Sequence, residues 1–281
     1  AWTMPMDRLP SAEPFQHPDA YDGVADAYDR FWGDALAPAM LGALDRLLAP
    51  IPPTDGRGRL LDLCCGTGQL AAGLTDRGWT VVGVDGAEAM LERARRRAPT
   101  TTFVRSDMRA FGIGGVLPGE SGSEPPFDVV VCAFDSLNHL PDAAALEEVL
   151  GRVFGALRPG GRFVFDVNLR AGFEARFEGS LGFADTDLVC VVNAGFDGLY
   201  GRYDIAVLRP EAPAALEAPA VPETAWRRTD TTLVQRCFEL SEILAALANS
   251  GFPDPVVLDA EDDLGMDGHI GRAVFVVDRP G

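Results

Sequence analysis

Apolar and aromatic residues recur at helical spacing from Asp19 to Leu48, where Tyr21, Val24, Tyr28 and Phe31 or Trp32 fall near one face between acidic positions. Pro38 lies inside that run, so the pattern predicts two helices broken near it, and Pro50, Pro52 and Pro53 close the segment. Beyond them the period changes to short apolar runs. Arg59 to Leu63 is the first, Val81 to Val84 ends at Asp85, Thr102 to Arg105 ends at Ser106 and Asp107, and Phe127 to Ala133 and Gly161 to Val167 follow. Helical patterns over Ala87 to Arg97 and Ala143 to Leu157 fill the gaps. Apolar strands alternating with helices predict an α/β fold, a doubly wound parallel sheet covered on both faces.

After Asn168 the rhythm is different. Leu188 to Gly195, Leu199 to Leu208 and Trp226 to Glu239 read as longer strands without helices between them, with a turn at Asp197-Gly198 and a link from Arg209 to Pro222. This predicts an antiparallel elaboration serving as a lid. Ser241 to Ser250 reads as a helix capped by Ser241 and stopped by Gly251, and Pro255 to Leu258 and Ala273 to Val277 return to strand. Gly112 to Pro126, rich in Gly, Ser and Pro, reads as a surface loop. The expected division is a helical cap over 1–53, a ligand-binding core over 54–168, the lid over 169–239 and completion of the core by 240–281.

Composition narrows the functions. The formal net charge of −18 repels a phosphate backbone, so nucleic acid is not an expected partner. The one basic run, Arg93 with Arg95 to Arg97, falls where it complements the dipole at the end of a helix. Every basic residue is arginine, so Schiff-base chemistry and a lysine-dependent phosphate loop are excluded. Cys64, Cys65, Cys132, Cys190 and Cys237 form no C-x-x-C pair and read as small buried hydrophobes in a reducing cytoplasm, with no metal site expected. No apolar run has the length of a membrane span and no export pattern opens the chain, so a cytoplasmic protein off the membrane is expected.

The candidate chemistry gathers at strand ends, where open α/β sheets bind ligands. Leu60 to Ala71, reading LLDLCCGTGQLA, takes an apolar strand through a glycine turn into a helix. Gly66 and Gly68 let a ligand approach the backbone, and the helix start offers free N–H groups. Asp62, just before the turn, favours a cationic ligand over a phosphate. Asp85 is placed to accept ribose hydroxyls or to cap the helix that follows. Asp107 can accept from an exocyclic amine while Met108 lies on an aromatic base. Asp135, Asn138 and His139 follow the fourth strand, and Asp166 ends the fifth.

These segments together carry a family resemblance. LLDLCCGTGQLA, Val81–Leu91 (VVGVDGAEAML), Phe103–Met108 (FVRSDM), Phe127–Leu140 (FDVVVCAFDSLNHL) and Leu157–Val167 (LRPGGRFVFDV) resemble the ordered motifs of class I S-adenosylmethionine-dependent methyltransferases. The chain is most similar to their small-molecule branch, which includes sugar N-methyltransferases and glycine N-methyltransferase-like enzymes. The resemblance implies a Rossmann-like seven-stranded sheet with an inserted lid, S-adenosylmethionine as donor and S-adenosylhomocysteine as product. It implies that Asp62, Cys64, Gly66 and Gly68 hold the methionine portion, Asp85 and Gly86 the ribose, and Asp107 and Met108 the adenine. The backbone at Ala133 and Phe134 would lie near the sulfonium. Tyr21, Tyr28 and Trp32 would fold over the donor or form a plain packing stripe, and Met90 joins the donor set or the core.

The implied reaction is displacement from an activated methyl group, which requires an aligned lone pair and a dry site. His139 is the candidate proton acceptor, or else a structural residue after the strand. Asp135, Asn138, His139 and Asp166 form the candidate acceptor-binding set, with Asp135 and Asp166 either holding a substrate ammonium or simply bonding the backbone. The aromatic residues Phe173, Phe177, Phe183 and Phe196 line the acceptor site or pack the lid. A small molecule bearing an amine or hydroxyl, in the style of a natural-product intermediate, is the expected substrate, and a homodimer is an expected assembly. Two rivals stand beside this reading. Gly66-x-Gly68-x-x-Ala71 with Asp85 also satisfies the fingerprint of an NAD-dependent oxidoreductase, and a donor-binding scaffold with a non-methylating role, such as cyclisation, would keep the same motifs.

Overall fold

The computed structural model describes residues 19–49, 51, 58–112, 127–211 and 225–281. Most of the expected 112–126 loop, most of the 209–222 link, and His17 lie outside the described residues.

The main sheet has seven strands in the order β10-β11-β5-β4-β1-β2-β3. They are β1 (Arg59–Leu63), β2 (Thr80–Asp85), β3 (Thr102–Arg105), β4 (Phe127–Cys132), β5 (Leu157–Asn168), β10 (Val256–Asp259) and β11 (Arg272–Asp278). Strands β1 to β5 pair in parallel, and β11 alone runs against its neighbours. Alternation along each strand feeds two apolar layers. Leu61, Leu63, Val130, Phe163 and Phe165 face one layer, with α5 (Ala143–Ala156) and α7 (Leu240–Asn249) packed on it. Leu60, Val129, Val131 and Val164 face the other, covered by α2 (Asp34–Leu48) and α3 (Gln69–Asp76). Burial on both faces is why these strands read as continuous apolar runs.

A second sheet, all antiparallel, follows the fifth strand: β6 (Gly179–Ala184), β7 (Val189–Phe196), β8 (Tyr200–Pro210) and β9 (Trp226–Arg236). It has four strands where three were expected. β6 escaped because Gly179, Ser180 and Gly182 dilute its pattern and five of its six residues are exposed. α6 (Arg170–Arg176) was also unforeseen. The N-terminal segment lies between the two sheets. Val24 and Ala27 pack on Leu188, Cys190 and Val207 of the small-sheet region, while Ala25 packs with Ala87 and Met90 beside the main sheet.

The predicted break at Pro38 does not occur. α1 (Ala25–Tyr28), a π-helical turn at Asp29–Gly33 and α2 form one continuous run, with Pro38 inside α2. Pro38 has no N–H to give the carbonyl one turn back, and the run carries its irregularity upstream as a widened turn instead of a break. The cap of α7 is corrected too: Glu239, not Ser241, accepts from the N3 backbone, and Glu242 returns a bond to Glu239 N–H at 2.9 Å. The arginines of α4 (Glu88–Arg97) also do more than face a helix dipole, since Arg93 pairs with Asp26 and Arg97 with Asp29 and Asp34.

Candidate active site

The strand order diverges on either side of β1, and the carboxyl ends of β1 to β4 open there into a single pocket. Asp62 is 1% exposed on its wall, and its Oδ2 has no hydrogen-bond partner. Burial lifts its carboxyl to about 8, the Asp85 charge adds to the rise, and the Ala71 N–H offsets part of it. A cation brought into the pocket would supply the missing donor and favour the ionised carboxylate.

The chain after β1 is held in left-handed conformations. Cys64 has φ +62°, although it is not glycine, and its Sγ lies 4.0 Å from Met108 Sδ. At Gly66 φ is +54°, and its N–H donates to Asp85 Oδ2 at 2.9 Å, while Ala87 N–H donates to Asp85 Oδ1 at 2.9 Å. Asp85 therefore steadies two turns and also lies on the pocket wall. Arg109 grips Asp107 through Nη2 at 2.5 Å, and although burial pushes that carboxyl up, the guanidinium holds it below its ordinary value.

At the other end of the pocket stand Tyr21, Tyr28, Phe134 and His139. His139, in the 3₁₀ turn Ser136–His139, places Nε2 at 2.8 Å from Tyr21 Oη and Nδ1 at 3.1 Å from the Val234 carbonyl of β9. A carbonyl only accepts, so Nδ1 carries the hydrogen and Nε2 presents a lone pair. Burial pushes the imidazole below its usual pKa, against the opposing pull of Asp135 and Val234. Behind this turn, Phe134 and Asp135 are left-handed at φ +60° and +51°, and Asp166 accepts from their N–H groups at 2.6 and 2.9 Å. Arg272 of β11 binds Asp166 and also Asp135, the latter at 2.6 Å.

A sequence model described as a methyltransferase domain matches residues 60–161, which span the strand-end loops that build this pocket. YqeM of Bacillus subtilis, named as a methyltransferase, is 30% identical over 239 residues, covering 83% of this chain and 86% of that protein. The chain belongs to the methyltransferase family. Solved methyltransferases share its fold: one from Clostridium acetobutylicum superposes with a TM-score of 0.72 at 18% identity, over 94% of this chain and 100% of that one. The sugar N-methyltransferase KedS8 from Streptoalloteichus superposes at 0.67 with 23% identity, over 98% and 99%. Family membership sets aside the dinucleotide-dependent alternative.

In this methyltransferase the pocket gathers Tyr21, Tyr28, Asp62, Cys64, Gly66, Asp85, Gly86, Met90, Asp107, Met108, Ala133, Phe134 and His139 of the expected set. Others go elsewhere. Trp32 meets Phe183 of β6 with ring centroids 4.9 Å apart, inside the apolar layer under the small sheet. Gly68 serves helix packing, since a Cβ there would stand 2.9 Å from Ala94 of α4. Asn138 is fully buried and bonds the backbone of Asn168 and Arg236. Asp166 bonds the backbone of Phe134 and Asp135, one of the two roles expected of it, and Arg272 engages both Asp166 and Asp135. Phe173 and Phe177 stack on each other, and Phe177 stacks on Tyr203 at 4.2 Å, so they pack α6 against the small sheet. Arg109, Gln69, Gln235 and Arg272 were missed. Arg109 was legible as the residue two beyond Asp107, whereas Gln235 and Arg272 come from strands about a hundred residues or more away from their partners.

Among the described residues no helix is long and apolar enough to cross a membrane, and no group of three or more His, Cys, Asp or Glu side chains is placed to hold a metal.

Proposed function

We propose that this chain transfers a methyl group from S-adenosylmethionine to an amine nitrogen of a small molecule, with the small sheet as lid and the N-terminal helices as cap. The observation that carries the reading is the buried Asp62 oxygen without a partner, in the pocket that Asp85, Met108 and His139 also line. When bound, the donor supplies a methyl group activated by its sulfonium. Asp62 would accept from the donor ammonium, Asp85 from the ribose hydroxyls and Asp107 from the adenine amine, with Met108 against the base and the left-handed turn at Phe134 beside the methionine end.

The acceptor assignment follows from the strength of the available base. The His139 Nδ1 hydrogen rests on a carbonyl and not on a carboxylate, so the imidazole is a weak base. That suffices for an amine, which attacks with its own lone pair and needs only to lose a proton. An alcohol requires a stronger base. The acidic chain and the nearby Asp135 favour a neutral or cationic acceptor.

Calorimetry tests the donor: S-adenosylmethionine and S-adenosylhomocysteine bind, and NADH does not. The Asp85→Ala variant loses about 1.5–3 kcal/mol of donor affinity, the range for a charge-assisted hydrogen bond. The acceptor is tested by incubating the protein, ¹³C-methyl donor and a metabolite extract of its source, then reading the labelled carbon by NMR. An N-methyl signal is expected, and an O-methyl signal would reverse the choice of atom.

A further inference from the structure

We infer that Arg272 and Asp166, together with Gln235 of the lid strand, are positioning residues that hold the loop after β4 in the shape the donor needs. The inference rests on the donor assignment above and goes beyond it in naming what builds that wall of the pocket.

Phe134 and Asp135 are consecutive non-glycine residues in the left-handed region, at φ +60° and +51°. The Cβ of each disfavours that region, and such a pair persists only where its surroundings over-determine it. The shape matters to the pocket, because Ala133, Phe134 and Ser136 of this loop line it. Strand order supplies the holds. Cys132 pairs with Phe165 across β4 and β5, so Asp166 emerges beside the start of the loop and accepts from the N–H groups of Phe134 at 2.6 Å and Asp135 at 2.9 Å. On the other side of β5, Arg272 of β11 pairs with Asn168, and Val274 with Asp166, which sets Arg272 diagonal to Asp166 and within reach of a long side chain. Its guanidinium spans both carboxylates, donating to Asp166 through Nη1 and to Asp135 through Nη2, the latter at 2.6 Å. The other Asp135 oxygen accepts from Gln235 Nε2 at 2.5 Å. Side chains of β5, β9 and β11 thus converge on one turn.

Asp166 is 1% exposed and Arg272 4%, so each charge relies on the other and not on water. Burial pushes the Asp166 carboxyl up, Arg272 pulls it back and the Asp135 charge adds to the rise, so ionisation of Asp166 depends on the guanidinium. Two N–H groups need two acceptor oxygens. A protonated carboxyl or an amide offers one good acceptor and turns a donor toward the second N–H, so either change releases half of the turn. The freed turn spreads over other conformations, and donor affinity falls with the fraction that keeps the competent shape. Removing Arg272 and neutralising Asp166 therefore strike the same hold by two routes. Gln235 is neutral and shares its carboxylate with Arg272, so its loss is felt least.

Two measurements on the full chain test this, with thermal melts to confirm that each variant is folded. The first is calorimetry of S-adenosylhomocysteine binding. Asp166→Asn and Arg272→Met are each expected to weaken binding about tenfold or more, and Gln235→Leu about threefold or less. Arg272→Lys should restore part of the loss, since an ammonium keeps the charge but lacks the fork that spans both carboxylates. The Arg272→Met and Asp166→Asn double variant should bind no worse than Arg272→Met alone. Glu239→Ala, which weakens a helix cap outside the pocket, should lower stability and keep donor affinity, and so separates positioning from stability. The second measurement needs no ligand. Carbonyl-¹³C alanine with ¹⁵N phenylalanine leaves only the Ala110–Phe111 and Ala133–Phe134 amides to resolve by NMR. The Phe134 N–H, on a short bond to a carboxylate, is expected at low field and should move upfield in Asp166→Asn and in Arg272→Met. Unchanged donor affinity in both folded variants, a Phe134 amide unmoved in both, or an equal loss of affinity in Glu239→Ala overturns the proposal. Where Arg272→Met does not fold, Asp166→Asn and Arg272→Lys decide it. Failure of the wild-type protein to bind S-adenosylhomocysteine would instead overturn the donor reading, and the amide shifts of the unliganded protein would still judge the clamp.

Discussion

Asp62 shows how one side chain ties ligand binding to protonation. Its carboxyl is lifted to about 8 in the folded protein by burial, against about 3.9 for an ordinary aspartate. Between those values the folded state keeps a proton that the unfolded state has lost, so stability falls as pH rises through that window. Asp62→Asn removes the titration, and the ligand-free variant should therefore melt higher than the wild type at pH 8, with the difference shrinking toward pH 4. Donor binding has the opposite sign. An ammonium beside Asp62 favours the carboxylate, so binding at pH 7 should release protons, and calorimetry in two buffers of different ionisation heat measures the number. The expected result is a release approaching one proton for the wild type and a clearly smaller one for Asp62→Asn. Equal release by both would separate Asp62 from the donor ammonium.

At the level of elements, the capping of α7 is a local device with a measurable effect. Glu239 and Glu242 satisfy each other's backbone donors at the start of that helix, whose inner face buries Ile243 and Leu247. Glu239→Ala should cost about 1 kcal/mol, seen as a lower denaturant midpoint at unchanged slope, while Ser241→Ala should cost little. The same helix marks the boundary of what the sequence reveals. Its existence and its stop at Gly251, where φ is +94°, follow from local pattern, as do β1 to β5, because a buried parallel strand and a glycine stop are written in consecutive residues. Exposed β6 has no such pattern to offer. The site divides in the same way. Asp62, Asp85 and Met108 could be placed because each sits where its own strand ends. Gln235 and Arg272 could not, since what they do is set by Asp135 and His139, brought beside them by strand order alone. For Trp32 the sequence left donor cover and a plain packing stripe both open, and its packing on Phe183 of the small sheet is the second of these.

Across the whole molecule, the N-terminal helices are the joint between the two sheets, and Asp26 is the point where the joint is pinned. Its carboxylate faces Arg30 of its own segment at 3.4 Å, Arg93 of α4 at 3.2 Å and Arg209 of β8 at 3.2 Å. Burial pushes the carboxyl up, but the bonds and charges of Arg93, Arg30 and Arg209 outweigh it and hold the group below its ordinary value. A carboxyl so depressed contributes stability that is present above its unfolded pKa and is lost as pH falls through its folded one. Tyr21 and Tyr28, which line the pocket, belong to the same segment, so loosening this joint should disturb the pocket's cover without touching its floor. Asp26→Ala is accordingly expected to cost about 1–2 kcal/mol, a figure kept low because the group is partly exposed. Hydrogen exchange should quicken in α1 and in β7 and β8 together, while β1 and β4 stay protected. Faster donor dissociation should accompany it, with added salt producing part of the same effect in the wild type. Quickened exchange in the N-terminal helices alone would show that the small sheet is held by its apolar layer and not by this cluster.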